Sequence, residues 1–174
     1  MSHLEIVMDN DPMSPRFTDC NLGTMLYASS RYNLGDKQVS WEEINKIEKD
    51  SDNIVVPVYA YIHSGIVLNT CGFSCPWDSG KCGIIYISKQ QVREHFNVKR
   101  ITAALKQKVI DMLKFEVAIF SNYLSGEVYG YQVIDDDQVV DSCYGFYLKE
   151  DAEEAGNEAL QSYQNSLKEE KHFS

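Results

Sequence analysis

The feature that most restricts the fold is a run of 25 residues, from Arg100 to Leu124, that contains neither glycine nor proline. Its apolar residues recur at steps of three and four, which is the spacing of one face of an amphipathic helix. These residues are Ile101, Leu105, Val109, Leu113, Val117, Phe120 and Leu124. The run therefore predicts a long central helix with one buried face.

The segments around this helix predict a largely antiparallel sheet. Short stretches rich in β-branched and aromatic residues are typical of strands. The predicted strands cover residues 4–8, 25–28, 54–62, 66–70, 83–87, 127–134 and 139–148. Two neighbouring pairs of these stretches predict hairpins, one around His63 to Gly65 and one around the polar turn at 135–138. Pro57 indicates an edge position or a bulge in its strand, and residues 72–81 predict a loop.

Three further helices are predicted from their starting residues. Ser40 to Glu43 and Ser88 to Gln91 have the capping-box pattern, in which a hydroxyl and an acidic or amide side chain satisfy exposed amides. The third helix spans residues 150–171, with acidic residues in its first turns, where the helix dipole favours them. We therefore predict an α+β fold with a long central helix and an acidic C-terminal helix.

Length and composition predict one domain over residues 1–174. The chain is 44% apolar, which is enough for one core, and no linker or repeat divides it. No apolar run is long enough for a membrane span and the first residues are acidic, so we expect a cytoplasmic location without membrane partners. Five cysteines are an odd number, which in a reducing compartment predicts free thiols.

The formal charge of −10 is unevenly distributed along the chain. It argues against general nucleic-acid binding, because phosphate contacts require clustered cations. However, residues 81–114 hold eight cations and two acids, whereas the remaining residues hold eight cations and 24 acids. From this stretch we predict a basic docking patch for an acidic partner or for the acidic half of a second copy in a homodimer: Arg93, Lys99, Arg100, Lys106 and Lys114. The alternative is an ordinary solvated helix face.

Acidic residues near the C-terminus predict a second binding surface. They lie on the polar turn, the strand after it and the start of the last helix: Asp135, Asp136, Asp137, Asp141, Glu150, Asp151, Glu153 and Glu154. Carboxylates spaced in this way can imitate nucleic-acid phosphates and compete for a groove built to bind them. The alternative is a face that only keeps the protein in solution.

Several short motifs resemble those of a family of small, acidic, functionally uncharacterised proteins encoded mainly by bacteriophages and prophages. They are Asp-x-Asp-Pro-x-Ser-Pro-Arg at 9–16, Asn-Leu-Gly-Thr at 21–24, Arg-Tyr-Asn-Leu-Gly-Asp at 31–36, His-Ser-Gly-Ile at 63–66, Phe-Ser-Cys-Pro-Trp-Asp-Ser-Gly at 73–80 and Asp-Ser-Cys-Tyr-Gly-Phe-Tyr at 141–147. The resemblance extends from about residue 5 to residue 147 and departs from the family at Cys71, Lys81 and Cys82. It implies a phage setting but no activity.

Small phage proteins without enzyme motifs are often inhibitors of host machinery. By this analogy we expect a binding protein that inhibits a host defence or nucleic-acid-processing system, of the anti-CRISPR or anti-restriction type. Its partner would be a protein with a basic nucleic-acid-binding groove in the bacterial cytoplasm.

The loop around residues 71–82, together with His63 upstream of it, contains the residues that an enzyme would use. Cys75, His63 and Asp78 could act as nucleophile, base and orienting acid of a thiol hydrolase, because an imidazole that lowers the pKa of a thiol activates it. The alternative function is therefore a small thiol- or metal-dependent enzyme that uses this region. In the simpler interpretation, these residues stabilise turns and Cys75 packs as a small apolar residue.

Two metal sites are conceivable from residue types alone. Cys71, Cys75, Cys82 and His63 supply four ligands of the kind that zinc prefers, but only one closely spaced cysteine pair exists where zinc ribbons have two. Asp9, Asp11 and Asp19 could hold Mg²⁺ or Ca²⁺, although turn hydrogen bonds and a pairing of Arg16 with Asp9 or Asp11 are the simpler expectation. We therefore predict no cofactor, and a binding protein in preference to an enzyme.

Overall fold

The computed structural model describes residues 1–18 and 20–172, with side chains up to Glu169, and within these residues it contains eight strands and four α-helices. In chain order the elements are β1 His3–Met8, a 3-10 turn Pro15–Phe17, β2 Thr24–Tyr27, β3 Lys37–Gln38, α1 Trp41–Lys49, β4 Asn53–Ile62, β5 Ile66–Asn69, β6 Ser79–Ser88, α2 Lys89–Phe96, α3 Ala103–Leu124, β7 Tyr129–Asp135, β8 Gln138–Phe146 and α4 Lys149–His172. The predicted α+β class is confirmed.

The chain forms two compact units. Residues Met1–Met13 and Gly126–Ser174 make up one of them, here called the terminal unit. The other, here called the central unit, consists of Ser14–Ser125. The expectation of one domain over residues 1–174 stays a prediction.

The terminal unit is a three-stranded antiparallel sheet, in the order β1-β7-β8, with α4 packed against it. Tyr131 and Val133 of β7 are buried, as is Ala152 of α4. The predicted hairpin between β7 and β8 is confirmed, and its turn residues Asp136 and Asp137 have positive φ angles of 47° and 63°. Such angles favour glycine, asparagine and aspartate, because larger or branched side chains clash with the backbone at positive φ.

The central unit contains a five-stranded sheet in the order β3-β2-β6-β4-β5. All its pairings are antiparallel except that of β2 with β3. Successive residues of a strand point to opposite faces, so the sheet has two apolar faces. Met25 and Ile85 belong to a core with residues of α3, whereas the neighbouring Leu26 and Ile84 pack with Ile44 of α1.

Most boundaries follow the sequence, and the exceptions have local causes. Helix α3 begins at Ala103 instead of Arg100, because Thr102 is its N-cap and accepts a hydrogen bond from the Leu105 amide. Strand β6 begins inside the predicted loop, at Ser79, where it pairs with Tyr61 of β4. The bulge expected near Pro57 lies directly after it, between Val58 and Tyr59.

No helix in the described residues combines the length and hydropathy that crossing a bilayer requires.

Candidate functional site

The two units differ in net formal charge. The terminal unit has three lysines and 15 Asp and Glu residues, a net charge of −12. The central unit has 13 Lys and Arg residues and 11 Asp and Glu residues, a net charge of +2. All eight residues of the predicted acidic surface belong to the terminal unit.

The first group of acids lies at the tip of the β7–β8 hairpin. Asp136 is 90% exposed and Asp137 is exposed, whereas Asp135 is half-buried. The Asp135 carboxylate accepts a hydrogen bond from the Tyr163 hydroxyl of α4 (3.2 Å), and the amine of Met1 lies 3.0 Å from Asp136 and 3.2 Å from Asp135. Thus Asp137 and most of Asp136 face solvent, and Asp135 holds the tip against the helix.

The second group of acids lies on the first turns of α4. Glu150, Asp151 and Glu154 are exposed, and the half-buried Glu153 lies 3.5 Å from the Lys149 amine. Strand β8 leads from the hairpin tip towards this helix start, and the eight steps between its nine residues, at about 3.3 Å each, span roughly 26 Å between the two groups. With the exposed Asp141 between them, the predicted acids form an extended stripe and not one cluster.

Strand β8 is an open edge that the sequence did not reveal. It is the outer strand of the three-stranded sheet, and eight of its nine residues are exposed. Val139, Val140 and Tyr144 are 52%, 40% and 46% exposed, so apolar surface accompanies the acidic stripe. The unpaired backbone groups of such an edge can accept a strand from a partner.

The predicted basic docking patch is largely brought together in the central unit. Arg93, Lys99, Arg100 and Lys106 line one cavity where α2 is followed by α3. Lys114 does not line it, since it lies two turns further along α3. The homodimer expected from opposite charges stays a prediction.

The structure joins only two members of the proposed thiol site. His63 Nδ1 lies 3.4 Å from Asp78 Oδ2, and both side chains are largely exposed, 67% and 41%. Cys75 contributes its carbonyl oxygen, which accepts a hydrogen bond from the Ser79 hydroxyl. Within the described residues no hydrogen bond joins the Cys75 sulfur to His63, so the arrangement of nucleophile, base and acid is not assembled.

Metal ligands are not brought together either. The described residues contain no group of three or more His, Cys, Asp or Glu side chains that could hold a metal ion. This applies to the zinc candidates Cys71, Cys75, Cys82 and His63. Burial raises the pKa of the Cys82 thiol to about 11, so this thiol is protonated and a poor nucleophile at neutral pH.

The acidic loop near the N-terminus is organised by a turn. The Asp9 carboxylate accepts a hydrogen bond from the Asp11 amide (3.0 Å), as an Asx turn does. Asp19, the third residue of the proposed cation site, lies outside the described residues. The expected pairing of Arg16 with Asp9 or Asp11 is wrong, because Arg16 pairs with Asp36 and Glu116.

Arg16 is the centre of a buried polar network in the central unit. Its side chain is 4% exposed, and its guanidinium lies 2.6 Å from Asp36 and 2.8 Å from Glu116. It also donates hydrogen bonds to the Asn21 side chain (3.0 Å) and the Gly23 carbonyl (2.8 Å). Burial disfavours the charged guanidinium, but the bonds to Asp36 and Glu116 outweigh it and raise the pKa of Arg16.

The two carboxylates of this network also bind backbone amides. Glu116 accepts hydrogen bonds from the Leu22 and Gly23 amides, and Asp36 accepts one from the Met25 amide (2.7 Å). Five residues of the network therefore come from the motifs at 9–16, 21–24 and 31–36, namely Arg16, Asn21, Leu22, Gly23 and Asp36. The network gives these motifs a structural role, because it holds the chain segments on both sides of β2 together.

The motifs at 31–36 and 73–80 meet around a cleft of about 470 Å³ in the central unit. Arg31 lies over the Tyr32 ring, 5.4 Å from its centroid. Trp77, which is 91% exposed, lines the same cleft together with Asp78. The two groups of motifs are thus neighbours in space.

Comparison of the chain with protein-family models, curated proteins and solved structures finds no match. The resemblance to the phage-encoded family therefore stays a prediction that rests on the motifs at 9–16, 63–66 and 73–80.

Proposed function

We propose that this protein inhibits a nucleic-acid-processing protein by stoichiometric binding, with the acidic terminal unit occupying a basic groove of its target. The target would be part of a host defence or competing system, of the anti-CRISPR or anti-restriction type, in the cytoplasm of a phage-infected bacterium. The observation that carries the proposal is the net charge of −12 on the terminal unit beside +2 on the central unit.

The shape of the acidic stripe supports this proposal. Strand β8, which connects its two groups of carboxylates, is about 26 Å long, somewhat less than the roughly 34 Å of one turn of B-DNA. A groove that binds the DNA backbone presents cations over such a length, and opposite charges accelerate the encounter. The stripe therefore suits a nucleic-acid groove better than a single metal ion.

The open edge of β8 adds a means of specificity. Complementary charge favours basic partners and fixes the register of a complex, and contacts of a second kind increase the discrimination between partners. Val139, Val140 and Tyr144 supply exposed apolar surface beside Asp141. Contacts to these side chains, or strand pairing with β8, would discriminate one target from others.

The enzyme alternative has less support. His63 and Asp78 form an exposed pair, but the Cys75 sulfur is not bonded to the imidazole that would activate it. The partly buried Cys82 is held in its protonated form by a pKa of about 11. Inhibition by binding requires none of these groups.

A variant with four neutralised acids tests the proposal. Asp136→Asn and Asp137→Asn remove charge at the tip, and asparagine tolerates the positive φ of both positions. Glu150→Gln and Asp151→Asn do so on the first turn of α4. Four exposed charges at about 0.4 kcal/mol each predict a loss of inhibition of roughly tenfold or more.

The assay measures DNA cleavage by a panel of bacterial restriction endonucleases and Cas nucleases. We expect wild-type protein to stop at least one of them at an equimolar end point. Glu42→Gln with Glu43→Gln is a control that removes two charges outside the terminal unit, because these acids occupy the first turn of α1 in the central unit. Equal potency of the four-fold variant and the wild type, or catalytic action far below one equivalent, would contradict the proposal.

A further inference from the structure

A basic cavity of about 430 Å³ lies where α2 is followed by α3 in the central unit. Five cationic side chains line it, namely Lys89, Arg93, Lys99, Arg100 and Lys106. The remaining lining residues are Ile101, Thr102 and Ala103 at the start of α3. Its volume falls in the range of roughly 300–1,000 Å³ that is common for small-molecule sites.

Within the part of the chain that the structure describes, none of these five cations forms an ion pair with a carboxylate. The ion pairs of the described residues use other cations, such as Lys81 with Glu48 and Arg16 with Asp36. The three acids on the same helices have other partners: Glu94 accepts a hydrogen bond from Gln90, Asp111 accepts one from Gln107, and Glu116 pairs with Arg16. Five like charges around one concavity repel each other, and a bound anion would relieve that repulsion.

Backbone amides of α3 add to the attraction for an anion. The Thr102 side chain satisfies only the Leu105 amide at the start of this 22-residue helix. The first amides of a helix, here those of Ala103 and Ala104, have no acceptor within the helix. Together with the helix dipole they favour a negative group at this end, in the same place as the cations.

We propose that this cavity binds the contiguous phosphates of a linear triphosphate. Clustered lysines and arginines, with free helix amides, are the donors that phosphate oxygens prefer. Among the described residues no aromatic side chain lines the cavity, so these residues supply no stacking platform of the kind that single-stranded nucleic-acid sites use. The phosphates are therefore the recognised group, whether they belong to inorganic tripolyphosphate or to a nucleoside triphosphate.

Calorimetric titration of the full chain at low salt tests this site. Inorganic tripolyphosphate is expected to bind one-to-one and roughly tenfold or more tighter than orthophosphate, because several charge-assisted hydrogen bonds act together. ATP binding as tightly as tripolyphosphate assigns the site to phosphates alone, whereas tighter binding of ATP assigns it to a nucleotide. A single-stranded oligonucleotide that binds tighter than both overturns the proposal in favour of a nucleic acid.

Two double variants with the same change in net charge distinguish binding in the cavity from a general effect of the protein's charge. Arg93→Ala with Lys106→Ala removes two cations of the cavity, and Lys46→Ala with Lys114→Ala removes two exposed cations of the central unit that do not line it. We expect roughly a tenfold loss of tripolyphosphate affinity for the first pair and less than about threefold for the second.

Equal losses in the two pairs, or no tripolyphosphate binding by the wild type at millimolar concentration, would overturn the proposal. Circular dichroism verifies that both variants are folded. If the cavity pair is not folded, Arg93→Gln alone replaces it, because this exposed position keeps a polar side chain of similar length. The result does not depend on the proposed inhibition, which concerns the terminal unit.

Discussion

Replacing Arg16 by alanine is expected to lower the free energy of unfolding of the central unit by about 3–5 kcal/mol, the range for breaking a buried ion pair. The substitution leaves Asp36 and Glu116 without their cation, although these carboxylates are only 26% and 13% exposed. It also removes the donors to Asn21 and Gly23. Arg16→Lys is expected to be intermediate, because an ammonium group cannot bond both oxygens of Asp36 as the guanidinium does.

Tryptophan fluorescence in a urea titration measures this effect. Both tryptophans, Trp41 and Trp77, belong to the central unit, so the signal reports on that unit. Arg31→Ala is the control, because Arg31 is exposed and its stacking on Tyr32 is worth at most about 1 kcal/mol. An Arg16→Ala protein within about 1 kcal/mol of the wild type would show that the network does not stabilise the unit.

Gly83→Ala is expected to destabilise the central unit by about 2–3 kcal/mol, as overpacking does. A Cβ at this position would collide with the Leu26 carbonyl oxygen and would lie 2.9 Å from the Tyr27 Cα. Both obstacles are backbone atoms of β2, where Tyr27 pairs with Gly83, so no side chain can rotate away. The two strands must separate to admit the methyl group.

Gly80→Ala on the same strand is the matched control. A Cβ at Gly80 meets nothing within 4 Å. We expect this substitution to change the free energy of unfolding by less than about 1 kcal/mol. Alanine makes the unfolded chain less flexible than glycine does, so the change should favour the folded state. Similar midpoints of urea unfolding for the two variants would contradict the close approach of β2 and β6.

Local signals in the sequence were sufficient to predict many of the helices, strands and turns. The capping box of α2 is present as predicted, since the Ser88 hydroxyl and the Gln91 side chain each satisfy an amide of the other residue. The turn between β7 and β8 was also predicted, from the polar residues between two strand-like stretches, and the structure shows that its aspartates have the positive φ angles that this residue type tolerates. Such features depend on residues within a few positions of each other, which a sequence shows directly.

Long-range arrangements could not be predicted in this way. The partners of Arg16 lie 20 and 100 residues further along the chain, and no spacing rule connects Arg16 with Glu116. Likewise, the acids of β1, the hairpin and α4 form one unit only because β1 pairs with β7. The two-residue strand β3 is too short to leave a pattern.

The residues of the candidate sites were largely predicted from the sequence, but their arrangement in space was not. The eight acids were identified, yet their division into two groups along β8 depends on the length of that strand. The exposure of β8 depends on the sheet order, which its own residues do not encode. Lys89 was missed in the basic patch, because the cavity combines the start of α2 with the start of α3.

Competition with DNA tests the account most directly. Fluorescently labelled DNA is bound to a nuclease that this protein inhibits, and the anisotropy of the DNA is followed as the protein is added. The account predicts that the DNA is released, and that the amount of protein required rises in proportion to the DNA concentration, because both occupy one basic groove. A complex in which the nuclease holds the DNA and this protein together would contradict it.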